Sequence, residues 1–184
     1  GMPLAGSGSV PCGSGEAFYD SSSNTLTLRD AVINNGYSVS SYTYGIYADN
    51  DTDLTIILEG ENAINGVDTG SNSAAGITIQ GDGSLTIDST YDGISASSQV
   101  TINDGNLTIN ISDDSVSAFF WISGINAGNG GLTINGGTVT INIPEPGSRW
   151  GFYSNGDIGI NNGSVSVDGG RFGILAERNV IISG

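Results

Sequence analysis

The chain has 184 residues and a formal net charge of -15, from 19 acidic side chains against four Arg, with no Lys and no His. Leu, Ile, Val and Phe supply a quarter of it, enough for one folded core. The one-sided charge disfavours nucleic acid and anionic membranes as partners, because phosphate binding needs clustered cations, and the missing His and Lys exclude His-based triads and Lys nucleophiles.

Ile outnumbers Leu and Ala, and 30 residues are Gly, a balance that favours strands and turns over helices. No apolar run approaches the roughly 18 residues of a membrane span, so no membrane insertion is expected. Residues 1–16 read as a flexible N-terminal segment. They hold the one cysteine, Cys12, which excludes an internal disulfide or a thiolate metal cluster. Gly1 before Met2 reads as a cloning remnant, so a secretory signal could have been removed.

From Ala17 onward the chain is expected to form one domain, residues 17–184, with residues 17–28 as its N-terminal cap. Leu26-Thr27-Leu28 opens a row of similar strands: Leu54-Thr55-Ile56, Leu85-Thr86-Ile87, Val100-Thr101-Ile102, Leu132-Thr133-Ile134, Ile158-Gly159-Ile160 and Val180-Ile181-Ile182. A second row, Gly followed by a large apolar residue, precedes it at Gly45-Ile46, Gly76-Ile77, Gly93-Ile94, Gly124-Ile125, Gly151-Phe152 and Gly173-Ile174. A third follows it at Ala31-Val32-Ile33, Leu107-Thr108-Ile109, Val139-Thr140-Ile141 and Val165-Ser166-Val167.

Three short strands per repeat describe an all-β, right-handed, single-stranded parallel β-helix of about six to seven coils. A sandwich of short strands is the alternative; recurrence of the same strand types in the same order favours the coil. Period-two alternation turns Leu and Ile inward and Thr outward. Stacking would then align Ile46, Ile77, Ile94, Ile125, Phe152 and Ile174 in one inward column, and Thr55, Thr86, Thr101 and Thr133 in one outward row.

The motifs Phe18-Tyr19-Asp20 with Thr25-Leu26-Thr27-Leu28, Gly45-Ile46-Tyr47-Ala48-Asp49 with Asp53-Leu54-Thr55-Ile56, and the run from Leu132 through Gly136-Gly137 to Ile141 carry a family likeness. The chain resembles the carbohydrate-binding parallel β-helix domains of secreted bacterial surface proteins, relatives of pectate lyases that often lack their catalytic set. The resemblance implies an extracellular location, at the cell surface or cell wall, and a polysaccharide partner. Some relatives carry an Asp-Asp-Gly-Ile corner associated with calcium. Here only Tyr91-Asp92-Gly93-Ile94 keeps an Asp before the Gly; Tyr44, Ala75, Ser123, Trp150 and Phe172 stand at the matching positions, so no calcium ladder is expected at that corner.

Asp49-Asn50-Asp51-Thr52-Asp53 offers three alternate carboxylates, so Asp49, Asp51 and Asp53 are the candidate metal ligands, with calcium as the cation such oxygens take. No other cofactor is implied. Turn formation by Asp explains the same residues without a metal.

Nine of 14 aromatic residues fall between the third strand of one coil and the Gly-apolar strand of the next, among them Trp121 and Trp150. Tyr47 and Tyr153 lie on the adjoining row. Flat rings beside acid and amide groups suit sugars, whose C–H faces stack on them while hydroxyls take directed hydrogen bonds. Tyr47, Trp121, Trp150 and Tyr153 are thus the candidate platforms, with Arg149 and Asn126 as hydrogen-bonding partners; the competing role is to cover the core. Two insertions, 112–123 and 144–150, are expected as neighbours at that corner.

Catalysis has thin support, because no acid cluster with a matching base is evident. The expected function is a non-catalytic, monomeric domain that binds polysaccharide in cell adhesion, with a neutral glucan or mannan favoured over pectate. The alternatives are a structural adhesive stalk that contacts proteins, a polysaccharide lyase or glycoside hydrolase, and ice binding through the Thr row.

Overall fold

The computed structural model describes residues 6–34, 36–39, 42–48, 51–70, 74–112, 121–144 and 149–184. These residues contain strands and turns and no helix. Three parallel sheets wrap one core. The first sheet stacks Thr25–Arg29, Leu54–Glu59, Ile77–Gln80, Gln99–Ile102, Gly131–Ile134, Ile158–Ile160 and Val180–Ile182. From each of the first six the chain passes to the third sheet: Val32–Ile33, Glu61–Ile64, Ser84–Ser89, Asn106–Ile111, Thr138–Ile143 and Ser164–Gly169. It then returns through the second sheet, which is made of Ile46–Tyr47, Val67–Asp68, Ile94–Ala96, Ile122–Ala127, Arg149–Ser154 and Phe172–Ala176. The result is a parallel β-solenoid of about five turns. Six strands in each of the second and third sheets enclose five turns between first and last, one fewer than a count of strands suggests.

Alternation builds each strand. Along Leu54–Glu59 the side chains are buried and half-buried by turns, so Leu54, Ile56 and Leu58 enter the core while Thr55 faces out. Stacking repeats this in register, with Ile56, Ile79, Ile102 and Ile134 directly above one another and fully buried. Each such side chain contributes about 1.5–3 kcal/mol through burial, and β-branched Ile fits a pleated surface packed on one face.

Four expectations about position change. Leu85-Thr86-Ile87 lies in the third sheet beside Leu107-Thr108-Ile109, and Ile77-Thr78-Ile79 takes the first-sheet place assigned to it. The outward row is therefore Thr55, Thr78, Thr101 and Thr133. Val67, not Ile77, joins Ile46, Ile94, Ile125, Phe152 and Ile174 in the inward column. At the N-terminus, Leu26 pairs with Ile56 rather than Leu54, a slip of two residues that keeps the same face inward.

Residues 8–16 also differ from a flexible segment. Gly8–Cys12 and Gly15–Asp20 form an antiparallel hairpin that continues the first sheet past Thr25–Arg29, so the cap begins before residue 17. Arg29 holds the junction, meeting Glu16 at 3.2 Å and Glu59 at 2.5 Å. Below it Asn24, at φ 48°, donates from its amide to the carbonyls of Thr52 and Asp53 at 2.9 and 2.8 Å.

The Gly-apolar row has a packing cause. A Cβ on Gly124 would stand 2.5 Å from Cγ2 of Ile141, and one on Gly93 would stand 2.4 Å from Cγ2 of Ile109. At this corner the backbone of the second sheet lies directly on inward side chains of the third, and only a residue without a side chain fits. At the turn from the first sheet to the third, an amide ladder runs along the stack: Asn161 donates to Asn135 at 2.8 Å, and Asn135 to Asn103 at 2.9 Å.

Candidate polysaccharide-binding face

Strand register gives the outer face of the second sheet a defined floor. Tyr47, Asp68, Ser95, Asn126 and Tyr153 occupy equivalent positions on five successive strands. All five are half-buried, while the residues before them in the strands are core. Neighbouring strands lie about 4.8 Å apart, so Tyr47 and Tyr153 are separated by about 19 Å along the stack.

Each end of this row carries aromatic rings. At the later end Trp121, 70% exposed, meets Trp150 edge to face at a centroid distance of 5.6 Å. Trp150 in turn lies 5.6 Å from Tyr153. Trp150 is buried, so it backs the exposed rings rather than offering a face of its own. Its indole N–H has no hydrogen-bond partner among the described residues. The Tyr153 hydroxyl lies 2.8 Å from the Asn155 amide oxygen and 3.0 Å from Glu177; burial, then the Glu177 carboxylate, pushes its pKa up. These contacts fix the ring's orientation. At the other end Tyr47 stacks on Tyr37 at 5.3 Å and on Tyr44 at 6.2 Å.

The six residues read as a carbohydrate site thus divide. Trp121, Trp150 and Tyr153 come together; Asn126 lies next to Tyr153 on the adjacent strand; Tyr47 belongs to a separate cluster four strands away. Arg149 is 3% exposed, so it does not present its guanidinium on this face. The exposed cation beside the aromatic column is instead Arg171, whose guanidinium carbon sits 5.3 Å from the centre of the Phe172 ring. Most of each insertion, residues 113–120 and 145–148, lies outside the described residues.

Asp92, which precedes Gly93 at the corner, is the main element that sequence reasoning missed. It is 2% exposed. One carboxylate oxygen accepts the Ser123 backbone N–H at 2.6 Å, and the other accepts an N–H from the Asn126 amide at 3.0 Å. Burial pushes its pKa up to about 7, against the pull of those two hydrogen bonds and with a further push from the Asp68 charge. Asp92 therefore pins the Asn126 amide in the middle of the floor, where an amide has acceptor and donor capacity left over.

The metal candidates look different. Asp49 lies outside the described residues. Asp51 accepts the Ala74 backbone N–H at 3.2 Å, and Asp53 accepts that of Gly76 at 2.7 Å, so both carboxylates tie one coil to the next. Among the described residues no three acidic or thiol side chains gather as a metal site. With an oxygen of each already engaged, calcium is expected to raise the thermal midpoint only slightly over a chelator control. A rise of tens of degrees would assign these carboxylates to a strong cation site.

A groove of about 550 Å³ on the third sheet is lined by Asn110, Ser112, Asn142, Pro144 and Asp168 among others. It contains no aromatic residue among them and so lacks a stacking surface. Among the described residues no helix is long and apolar enough to cross a membrane. Residues 14–184 match the family model described as carbohydrate-binding domain-containing protein. No curated protein and no solved structure matches the chain.

Proposed function

The chain belongs to the carbohydrate-binding domain-containing family, and from that membership we propose that it is a non-catalytic polysaccharide-binding domain that serves cell adhesion outside the cell. The ligand meets the outer face of the second sheet. The observation that carries this reading is Trp121, an indole 70% exposed yet held edge-on by Trp150 and followed by Tyr153 and Asn126. An exposed large ring with a fixed neighbour offers stacking area at small entropic cost.

Asp92 has the raised pKa of a general acid, and Asp68 lies close enough to influence it. Glycoside hydrolysis nevertheless requires the acid to reach the glycosidic oxygen. Asp92 is buried, and each of its oxygens faces an N–H of the protein. Its geometry favours bracing the floor over proton transfer to a sugar.

Calorimetric binding to a panel of soluble polysaccharides tests the proposal. The wild type is expected to bind at least one without releasing reducing or unsaturated sugars. Trp121→Ala is expected to weaken that binding by about 1–3 kcal/mol with an unchanged melting midpoint. A blank panel would transfer the proposal to a protein-contacting adhesive stalk, and equal binding by the variant would remove Trp121 from the binding face.

A further inference from the structure

The proposed face has two aromatic clusters and not one, and their placement specifies how a ligand lies. Tyr37, Tyr44 and Tyr47 form one cluster; Trp121, Trp150 and Tyr153 form the other. One member of each, Tyr47 and Tyr153, sits on the same outward row of the second sheet. Between Tyr47 and Tyr153 that row holds only Asp68, Ser95 and Asn126. Resting on the reading above, we propose that the ligand is an extended, uncharged glycan chain that runs lengthwise along the coil stack and touches both clusters at once.

The argument has three parts. First, separation: the clusters are about 19 Å apart, too far for one sugar ring to bridge, so simultaneous contact requires several linked sugars. Second, direction: the outward row runs perpendicular to the strands, along the stacking axis, so a chain joining the clusters crosses every strand between them. Third, charge: the middle of the row contains Asp68 beside the buried Asp92, and its remaining members are neutral. A uronate chain would place a carboxylate over Asp68 with no cation on the row between the clusters, Arg171 lying beyond Tyr153 beside Phe172, an arrangement opposed by like-charge repulsion. Neutral hydroxyls suit Ser95 and Asn126, which both donate and accept. The pinning of Asn126 by Asp92 holds that amide in place before a sugar arrives, which lowers the ordering cost of binding.

The test is a length series of gluco-oligosaccharides and manno-oligosaccharides, disaccharide to octasaccharide, with an oligogalacturonate series for comparison. Affinity for a neutral series is expected to climb with length and then level off once both clusters are engaged. Tyr47→Ala should weaken the long members by about tenfold and leave the short members, which bind at Trp121, unchanged. Tyr47→Phe should behave as wild type. If Tyr47→Ala melts early, Tyr37→Ala, at a ring already 53% exposed, takes its place. Equal affinity at all lengths, equal loss on short and long members, or tighter binding of the galacturonates overturns this inference while leaving polysaccharide binding intact. Failure of all three series, together with a blank polysaccharide panel, overturns both.

Discussion

Phe152→Ala is expected to lower the free energy of unfolding by about 3–5 kcal/mol, the range for removing a fully buried aromatic ring. Phe152 is completely buried and is stacked between Ile125 and Ile174 in the inward column of the second sheet. Its neighbours cannot close the void, because Gly151, beside it, already lies with its backbone against Val167. Repeat coils are stabilised mainly by contact with adjacent coils. The loss should therefore fall on the later coils, where Ile174 is only half-buried. Urea unfolding followed by far-ultraviolet circular dichroism should show a lower midpoint, with a reduced slope if those coils uncouple from the rest. An unchanged midpoint would mean that this ring is not core.

The second large effect concerns pH. Asp92 titrates at about 7 in the folded chain because burial disfavours its charge, against an ordinary value near 3.8. A carboxyl whose folded pKa is raised binds its proton more tightly in the native state. Its contribution favours folding most below the unfolded value and falls as pH rises toward the folded value. The fall is on the order of 4 kcal/mol, spread between about pH 4 and pH 7 and constant above it. Glu16, Asp20 and Asp157 act in the opposite sense, since hydrogen bonds lower their pKa values; they lose stability only as pH falls through the acid range below. Asp92→Asn copies the protonated acid. It is expected to match the wild type near pH 4 and to exceed it at pH 8, once the Asn126 amide turns to accept from the new one. Melting curves taken across this range check the point, and parallel wild-type and variant profiles would place Asp92 in contact with water.

Why the coil was legible in the sequence, and the assignment around Leu85 was not, follows from the core itself. The first and third sheets face the same core, and both need an inward Leu or Ile, an outward Thr and a second inward Ile. Leu-Thr-Ile fits either sheet, and its composition cannot distinguish them. The second-sheet strand that would have corrected the register, Val67–Asp68, is two residues long and leaves a faint pattern behind Gly66. The Gly-apolar pairs at 93, 124 and 151 were readable because the close packing that requires Gly recurs on three successive coils, against Ile109, Ile141 and Val167.

At the site, residue type proved more legible than accessibility. The rings of Trp121, Trp150 and Tyr153 were recognisable as a group. The burial of Arg149 was not, because charge alone does not determine depth. Asp92 was visible as the Asp before a Gly, but its role depends on Ser123 and Asn126, 31 and 34 residues away on the next coil. No local pattern contains that information.

Coil length carries a different kind of consequence. From Leu54 to its partner Ile77 the chain uses 23 residues, and from Val100 to its partner Leu132 it uses 32, yet both coils stack in the same register. Most of the surplus falls between Ile111 and Ile122, immediately before Trp121. The scaffold therefore accepts a longer connection at the point where it borders the proposed ligand face. Descent can lengthen, shorten or rewrite that border one coil at a time without renegotiating the interior, so ligand preference is free to diverge among lineages that share a single architecture.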